Sequence, residues 1–378
     1  MRKLVAVAAL CLLTGCGHSA RNGYAAIAPG QPARGAIPAD VAEVTESSVS
    51  GVLDDSQARV YVRSRMELLA PEIRYRLGGE GDVYDRTLSM AEGMLREGFA
   101  VSFGVRTRGD DVLLVPSYAD NELLLRAHRS SEIRRRLTPD QQMALNMAEQ
   151  VVARARARHS TEYDIALELH DYLLRHAAYV DETNGSNSCN ATVDILLKGK
   201  GVCDAYTRAY RLMLGIAGIE NIFVAGVAQN ENHCWNLVRL DGHWVHVDCT
   251  YSDPTPDEPG RVFHTHFAMP DFLLARDHSW DRALYPAATS TALYYPFRFA
   301  AFLSVTDLVD WCRVNRQRIG SQYVTVYVAE LAQSGQDNEK VQALFERAHA
   351  RIGEHVIAAY AMEKHLPGVL ACRCLSSE

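Results

Sequence analysis

Three short segments near the middle of the chain constrain its fold more than any other feature. They read Gly-Val-Cys at 201–203, His-Cys-Trp-Asn at 233–236 and Val-Asp-Cys-Thr at 247–250. A cysteine, a histidine and an acid in this order can supply a nucleophile, a general base and a residue that orients the base. Because these roles need direct contact, we expect the fold to bring the three side chains together.

The residues after Cys203 predict a buried helix. Apolar side chains recur at helical spacing at Tyr206, Tyr210, Met213 and Leu214, which places the cysteine in the first turn. Free backbone N–H groups and the positive end of the helix dipole favour a thiolate over a thiol at this position. The same N–H groups, including that of the Cys203 backbone, can hold the oxyanion of a tetrahedral intermediate.

Residues 235–247 predict a β-hairpin. Before the turn, Asn236, Val238 and Leu240 alternate with the set Trp235, Leu237 and Arg239, and Asp241-Gly242 is a dipeptide that favours a two-residue turn. This turn places Leu240 opposite His243 and thereby fixes the register of the two strands.

The predicted register places the base and the acid on one face of the sheet. Four side chains share this face: His233, Trp235, Asp248 and Thr250. Asp248 lies diagonal to His233, within reach of its side chain. The acid can then accept a hydrogen bond from one imidazole nitrogen and leave the other for the thiol. We expect Trp235 and Thr250 to support the site, and we assign His246 to the opposite face.

The same register places Cys234 directly opposite Cys249, on the face away from His233. Opposed residues can approach within the Cα separation of roughly 4.4–6.8 Å that a disulfide tolerates. We therefore predict a disulfide between Cys234 and Cys249. The alternative is two independent buried thiols.

From Lys200 to Pro254 the sequence resembles the transglutaminase-like (papain-related) superfamily, especially its bacterial branch. The shared pattern is H-x-W-N-x-V-x-L-D-G-x-W-x-H-V-D-x-T-x-x-D-P, which begins at His233 in this chain. The resemblance implies an α+β fold whose core is a helix carrying the nucleophile, packed on an antiparallel sheet, with smaller α/β modules on either side. It also implies a cysteine enzyme with catalytic residues Cys203, His233 and Asp248.

The resemblance continues to about Trp280, through a segment that packs over the core in the family. Cys234 and Cys249 stand where the family commonly has other residues, which is compatible with a paired replacement. A second oxyanion donor is not evident, and Asn187 and Asn190 are the candidates for it.

The N-terminus predicts a bacterial lipoprotein. Residues 1–15 form a short basic and apolar signal peptide, and Leu-Thr-Gly-Cys at 13–16 resembles the lipobox in which Cys16 is lipidated. An ordinary secretory peptide or an uncleaved anchor is the alternative. Residues 16–50 predict a flexible tether. We expect a lipid-anchored membrane protein of the bacterial cell envelope, in the outer membrane of a Gram-negative cell because Gly17 follows the cysteine.

The remaining chain divides into three segments. We predict an N-terminal α/β module at 51–136, the catalytic core at 137–290 and a C-terminal α/β module at 291–378. The order of predicted helices and strands is similar in the two outer modules, so the last is a possible repeat of the first. In the N-terminal module, strands are predicted at 72–77, 112–116 and 122–126.

Charge and ligand spacing exclude several classes of function. The net charge is −7, with acids and bases interspersed, so we expect no nucleic-acid partner. Cysteine and histidine spacings do not match a zinc site, and no loop has the calcium-binding pattern, so we expect no metal and no cofactor. The expected partners are a protein or peptide substrate in the cell envelope, and the membrane through the N-terminal lipid.

Two functions are compatible with these residues. The first is an exported, lipid-anchored cysteine enzyme that cleaves or transfers amide acyl groups, from peptides or glutamine, through a thioester, with a peptidase-like activity preferred. Whether water or an amine accepts the acyl group stays open. The alternative is a catalytically silent binding or scaffold protein of the envelope that uses the same fold.

Overall fold

The computed structural model describes residues 5–7, 51–95, 100–180, 192–253, 255, 257, 261–299, 301–319, 323–333, 338–362 and 365–375. Several predicted features lie outside these residues: Cys16, the tether, Asn187, Cys189 and Asn190. None of the helices in the described ranges is both long enough and apolar enough to cross a membrane.

The N-terminal module is a five-stranded sheet covered by two helices. Its elements are β1 (Val5–Val7), β2 (Val52–Leu53), α1 (Asp55–Glu67), β3 (Ile73–Leu77), α2 (Val83–Leu95), β4 (Ala100–Arg108) and β5 (Asp111–Tyr118). The strand order is β1-β4-β5-β3-β2, with only β2 and β3 parallel. Strand β1 comes from the predicted signal peptide, so cleavage there would leave β4 at the edge of the sheet.

Two of the three strands predicted in this module are confirmed, as β3 and β5. The third is wrong, because residues 122–126 lie in helix α3 (Asp120–Arg129). Leu123, Leu124 and Ala127 are buried at helical spacing, and a short leucine run does not distinguish a helix from a strand. The true partner of β5 in the hairpin is β4, which the sequence analysis missed.

The helical half of the core surrounds one buried helix. Its further elements are α4 (Ser131–Arg135), α5 (Pro139–Arg158), α6 (Glu162–His176), β6 (Ala178–Tyr179), α7 (Thr192–Lys198), β7 (Lys200–Gly201) and α8 (Cys203–Ile216). Thr138 caps α5 in a capping box with Gln141. Helix α8 packs against α3, α5, α6 and α7. Arg211 of α8 donates to Glu122 of α3 at 3.1 Å, which ties the N-terminal module to this helix.

The sheet of the core is antiparallel throughout. Its elements are β8 (Asn221–Ala228), β9 (Glu231–Leu240), β10 (His243–Val247), α9 (Cys249–Ser252), β11 (Phe267–Met269), α10 (Asp271–Leu274) and β12 (His278–Ser279), in the order β11-β10-β9-β8-β12. The predicted hairpin register is confirmed, with Leu240 opposite His243. Asp241 and Gly242 have φ values of 48° and 87°, as a type I′ turn requires.

The C-terminal module repeats the connectivity of the N-terminal one. Its elements are α11 (Tyr295–Phe299), β13 (Ala301–Phe302), α12 (Val305–Ile319), β14 (Tyr323–Val328), α13 (Ala329–Gln333), α14 (Asn338–Ile352), β15 (Ile357–Met362) and β16 (Val369–Cys374). The order β13-β14-β16-β15, with β13 and β14 parallel, matches β2-β3-β5-β4. Leu366 and Val369 pack with Trp235 and Leu237 against the core sheet.

Candidate active site

Cys203 is the first residue of α8 and is 4% exposed. The preceding residue, Val202, has an extended backbone and no capping side chain, so the first turn offers backbone N–H groups that no side chain at the cap occupies. Asp204 in the same turn is compensated by Arg208, whose Nε lies 2.7 Å from its carboxylate in a buried pair. This pairing leaves the dipole of the helix as the local positive field at the cysteine.

Thr207 fixes the start of α8 against strand β9. Its Oγ1 donates to the carbonyl oxygens of Cys203, at 2.8 Å, and Cys234, at 3.0 Å. The Asn236 side chain donates back to the Thr207 carbonyl at 3.2 Å. Cys203 and Cys234 also belong to one small buried cluster. Cys203 is therefore held against the strand residue that follows His233.

His233 and Asp248 meet as the hairpin register predicts. The His233 Nε2 lies 2.6 Å from Asp248 Oδ2, and both side chains are buried. Because an ionised carboxylate only accepts hydrogen bonds, Nε2 carries the proton in this contact, and Nδ1 is the ring nitrogen that does not contact the acid. The Trp235 ring stacks on the His233 imidazole at 5.9 Å between centroids. The imidazole is thus oriented by an acid at one nitrogen and by an aromatic ring on its face.

Asp248 ends strand β10 and caps α9. Its Oδ1 accepts from the backbone N–H of Tyr251 at 3.0 Å, and its Oδ2 accepts from His278 Nε2 at 3.1 Å as well as from His233. Burial alone would raise the pKa of this carboxyl, but the imidazoles of His233 and His278 hold that pKa well below its ordinary value. Asp248 is therefore an anion at any pH near neutrality.

A second acid and a third histidine extend this network. His278 Nδ1 lies 2.5 Å from Asp277 Oδ1, and Asp277 Oδ2 lies 3.3 Å from His266 Nε2. Burial favours the neutral form of His278, yet Asp248 and Asp277 raise its pKa to about 9. The roles of these residues could not be predicted from the sequence, because contacts between separate segments leave no local pattern.

Three groups of the described residues bring possible metal-ligand atoms within 4.8 Å of one another: His170, Asp171 and His264; His233, Asp248 and His278; and His266, Asp277 and His278. In each group the carboxylate contacts both imidazoles within hydrogen-bond distance. Hydrogen bonding therefore accounts for all three geometries, and the expected absence of a metal stays a prediction.

His246 lies on the same face as His233, so its predicted assignment to the opposite face is wrong. Directly opposed residues of an antiparallel pair share a face, and His246 is opposite Leu237, which alternates in phase with His233. Its Nδ1 accepts from Trp235 Nε1 at 2.9 Å, and its Nε2 donates to Asp271 at 2.9 Å. The single N–H of Trp235 is thereby used, so this ring supports the base and is not an oxyanion donor.

The predicted disulfide is also wrong, because Cys234 and Cys249 are both buried free thiols. Pairing of β9 with β10 ends at Val247, opposite Asn236, and Cys249 begins the helical turn α9. The chain therefore leaves the sheet before the register could bring Cys249 opposite Cys234.

A cavity of about 450 Å³ opens beside the base. Its lining includes His233, Thr250 and Asp253 together with the aromatic rings of Tyr179 and Phe263. Thr250 Oγ1 and Asp253 Oδ1 are buried and make no hydrogen bond to the described residues. Burial raises the pKa of Asp253 to about 6. The cavity therefore lies next to the imidazole and is lined by both polar and aromatic residues.

Gly226 lies opposite His233, and its lack of a side chain lets the Ser279 carbonyl group and the Trp235 ring pack close to its backbone. A Cβ there would lie 2.4 Å from the Ser279 carbonyl oxygen and 2.6 Å from the Trp235 ring. We expect Gly226→Ala to lower the free energy of unfolding by about 1–3 kcal/mol, because backbone and ring must both shift. Urea unfolding measures this, and Gly51→Ala is the control because no heavy atom lies within 4 Å of its Cβ. Equal stability of both variants would contradict the expected crowding.

Comparison with known proteins adds one family match. Residues 149–249 match the family model of the Transglutaminase-like superfamily. A search of curated proteins gave no match. Among solved structures, a TGase has 15% identity and a TM-score of 0.28, over 50% of this chain and 52% of its own. The periplasmic domain of TgpA from Pseudomonas aeruginosa has 17% identity and a TM-score of 0.26, over 39% and 56%.

A candidate cysteine protease from Cytophaga hutchinsonii has 16% identity and a TM-score of 0.26, over 37% of this chain and 44% of its own. The chain therefore spans about half the length of these three structures. Residues 149–249 include Cys203, His233 and Asp248. The chain carries a transglutaminase-like superfamily domain on an α+β fold, and both predictions of the sequence analysis are confirmed.

Proposed function

We propose that this protein is a cysteine enzyme that cleaves or transfers amide acyl groups through a thioester on Cys203. The observation that carries the proposal is the hydrogen bond of 2.6 Å from His233 Nε2 to Asp248, which leaves Nδ1 free to act as the base. It is supported by the position of Cys203 at the start of α8, tied by Thr207 to the strand of His233.

The proposed reaction has two steps. The Cys203 thiolate attacks the amide carbonyl, and backbone N–H groups in the first turn of α8 stabilise the oxyanion. The C–N bond breaks as His233 gives its proton to the leaving amine, and an acyl thioester forms on Cys203. Water or a second amine then attacks the thioester, His233 takes a proton from it, and the C–S bond breaks to return the Cys203 thiolate beside the protonated His233. Asp248 stays ionised throughout and orients the imidazole.

The choice between hydrolysis and transfer can be measured directly. Purified protein is incubated with casein and dansylcadaverine, and both released peptides and incorporated dansyl groups are quantified. We expect at least one of these products from the wild-type protein. If folded protein gives neither product at any pH from 5 to 10, this result would contradict the proposal for protein substrates.

We also propose that the mature protein is attached to a bacterial membrane by a lipid on Cys16, and that its substrate is a protein or peptide of the cell envelope. The proposal rests on the Leu-Thr-Gly-Cys segment at 13–16, the polar and small residues of 16–50, and Gly17 after the cysteine. In a Gram-negative cell this favours the outer membrane.

Replacing Cys16 with serine is expected to block lipidation and processing, because serine has no thiol to carry the diacylglycerol. The variant should run as a larger precursor on gels and should incorporate no labelled palmitate. The wild-type protein should partition into the detergent phase of Triton X-114. Identical mobility and partitioning of both proteins would mean that another feature anchors the chain.

A further inference from the structure

His278 contacts the acid of the site from the side away from His233. Its Nε2 lies 3.1 Å from Asp248 Oδ2, and its Nδ1 lies 2.5 Å from Asp277 Oδ1. Because both neighbours are carboxylates, each ring nitrogen must donate a proton to be satisfied, and only the imidazolium has two N–H groups. His278 is 2% exposed, so water does not compete for these bonds.

The surroundings of His278 identify the groups that its charge can affect. The centroid of its ring lies 5.5 Å from that of His233 and 5.6 Å from that of His266. Two further rings contact it, Tyr251 at 4.6 Å and Trp235 at 5.1 Å. The charge also acts on His246, whose pKa is lowered by burial first and by His278 among smaller causes. The Asp248 and Asp277 carboxylates thus face one imidazolium, and His233 lies within range of its field.

We propose that His278 is a positioning residue for the cysteine chemistry, acting as a buried imidazolium that holds Asp248 in place and opposes the positive charge that His233 takes on in the reaction. The inference rests on the proposed function of Cys203 and His233 and adds a fourth residue to it. His278 lies on β12, which pairs with β8 at Ala228, so the sheet itself places the ring. His278 does not need to touch the substrate for this role.

The charge of His278 has a defined effect on the base. A cation about 5.5 Å from His233 opposes the positive charge that this imidazole takes on in the proposed reaction. Without it, Asp248 and Asp277 would stabilise that developing charge more strongly. Removing the charge should therefore raise the pH at which kcat/KM falls on the alkaline side of its pH profile. This side of the profile is called the alkaline limb below.

Two substitutions separate the charge from the hydrogen bond. His278→Gln places an amide N–H near the position of Nε2, so it keeps a donor to Asp248 and loses the charge. We expect its alkaline limb of kcat/KM to move up by about 1 pH unit. His278→Phe loses both features, and we expect its kcat to fall about 10- to 100-fold, as for other residues that orient a reacting side chain.

His266→Gln is the matched control. His266 is 3% exposed, its imidazole contacts the same Asp277, and its contact with Asp248 is through the backbone, where its carbonyl accepts from the Asp248 N–H at 3.0 Å. We expect its alkaline limb to stay within about 0.2 pH units of the wild type. An unshifted limb in His278→Gln, or an equal shift in His266→Gln, would overturn the inference while the wild-type activity stands. Inactive wild-type protein whose Cys203 alkylates like an ordinary thiol would instead overturn the proposed function.

A measurement on the wild-type protein keeps the inference testable if the His278 variants do not fold. The ¹⁵N chemical shifts of the ring nitrogens report the protonation state of each histidine. We expect two protonated ring nitrogens on His278 up to about pH 8, since its pKa is raised to about 9, and a neutral ring on His246 at the same pH. A neutral His278 at pH 7 would contradict its role as a buried imidazolium.

Discussion

Cys203→Ala is expected to abolish both peptide release and amine incorporation, because it removes the sulfur on which the proposed thioester forms. The expected loss is at least about 10⁴-fold, the scale found when a nucleophile that forms a covalent intermediate is removed. The substitution removes one sulfur from a buried cluster and keeps the alanine methyl, so folding should persist. Activity is measured with casein and dansylcadaverine, and folding by circular dichroism.

Cys312→Ala is the matched control for this result. Cys312 is as buried as Cys203 but lies in the C-terminal module, in a separate apolar cluster. We expect this variant to retain most of the wild-type activity. Wild-type turnover in Cys203→Ala would rule out the proposed chemistry, and equal losses in both variants would assign the effect to stability.

The second large effect is expected at the base and its acid, with different magnitudes. His233→Ala removes the group that moves the proton and should cost nearly as much as Cys203→Ala. Asp248→Asn should leave a residue of activity, about 10²- to 10⁴-fold below the wild type, because this residue orients the base. The asparagine amide has one oxygen and one NH₂ group, so it cannot accept hydrogen bonds at both positions as the carboxylate does. It therefore loses a hydrogen bond from the imidazoles.

Asp248→Asn also carries its own folding control. The Asp248 side chain caps α9 by accepting from the Tyr251 N–H, and asparagine is an equally good N-cap residue. The helical turn should therefore be kept while the imidazole loses its partner. Rates from single-turnover assays compare the three variants. Full activity in Asp248→Asn would show that the 2.6 Å contact with His233 has no role in the reaction.

The central hairpin could be predicted because its turn is encoded in two adjacent residues. Asp241 and Gly242 both adopt positive φ, which fixes the pairing of Leu240 with His243 and hence the contact of His233 with Asp248. The helix at Cys203 was also predictable, because its apolar period is unbroken. These features depend on local sequence alone.

The wrong or missing predictions have physical causes that cannot be recognised in the local sequence. The strand at Val247 ends because Asp248 turns to cap a helix, and this removes Cys249 from the register that predicted a disulfide. The leucine run of α3 has no period long enough to reveal its helix. His278 reaches Asp248 only through the path of β12 along β8, which a single sequence does not specify.

The most direct test of the account is the pH dependence of Cys203 alkylation by iodoacetamide, followed by peptide mass spectrometry. A thiolate held by the start of α8 and by His233 should react with a midpoint well below about 8.5, the pKa of an ordinary thiol. Cys249 is the internal control, because burial raises the pKa of its thiol well above the usual value. The account predicts that Cys203 is labelled at pH 6 in the wild type, that labelling at this pH is lost in His233→Ala, and that Cys249 stays unlabelled. A midpoint for Cys203 at or above 8.5, unchanged by His233→Ala, would contradict an activated nucleophile at this site.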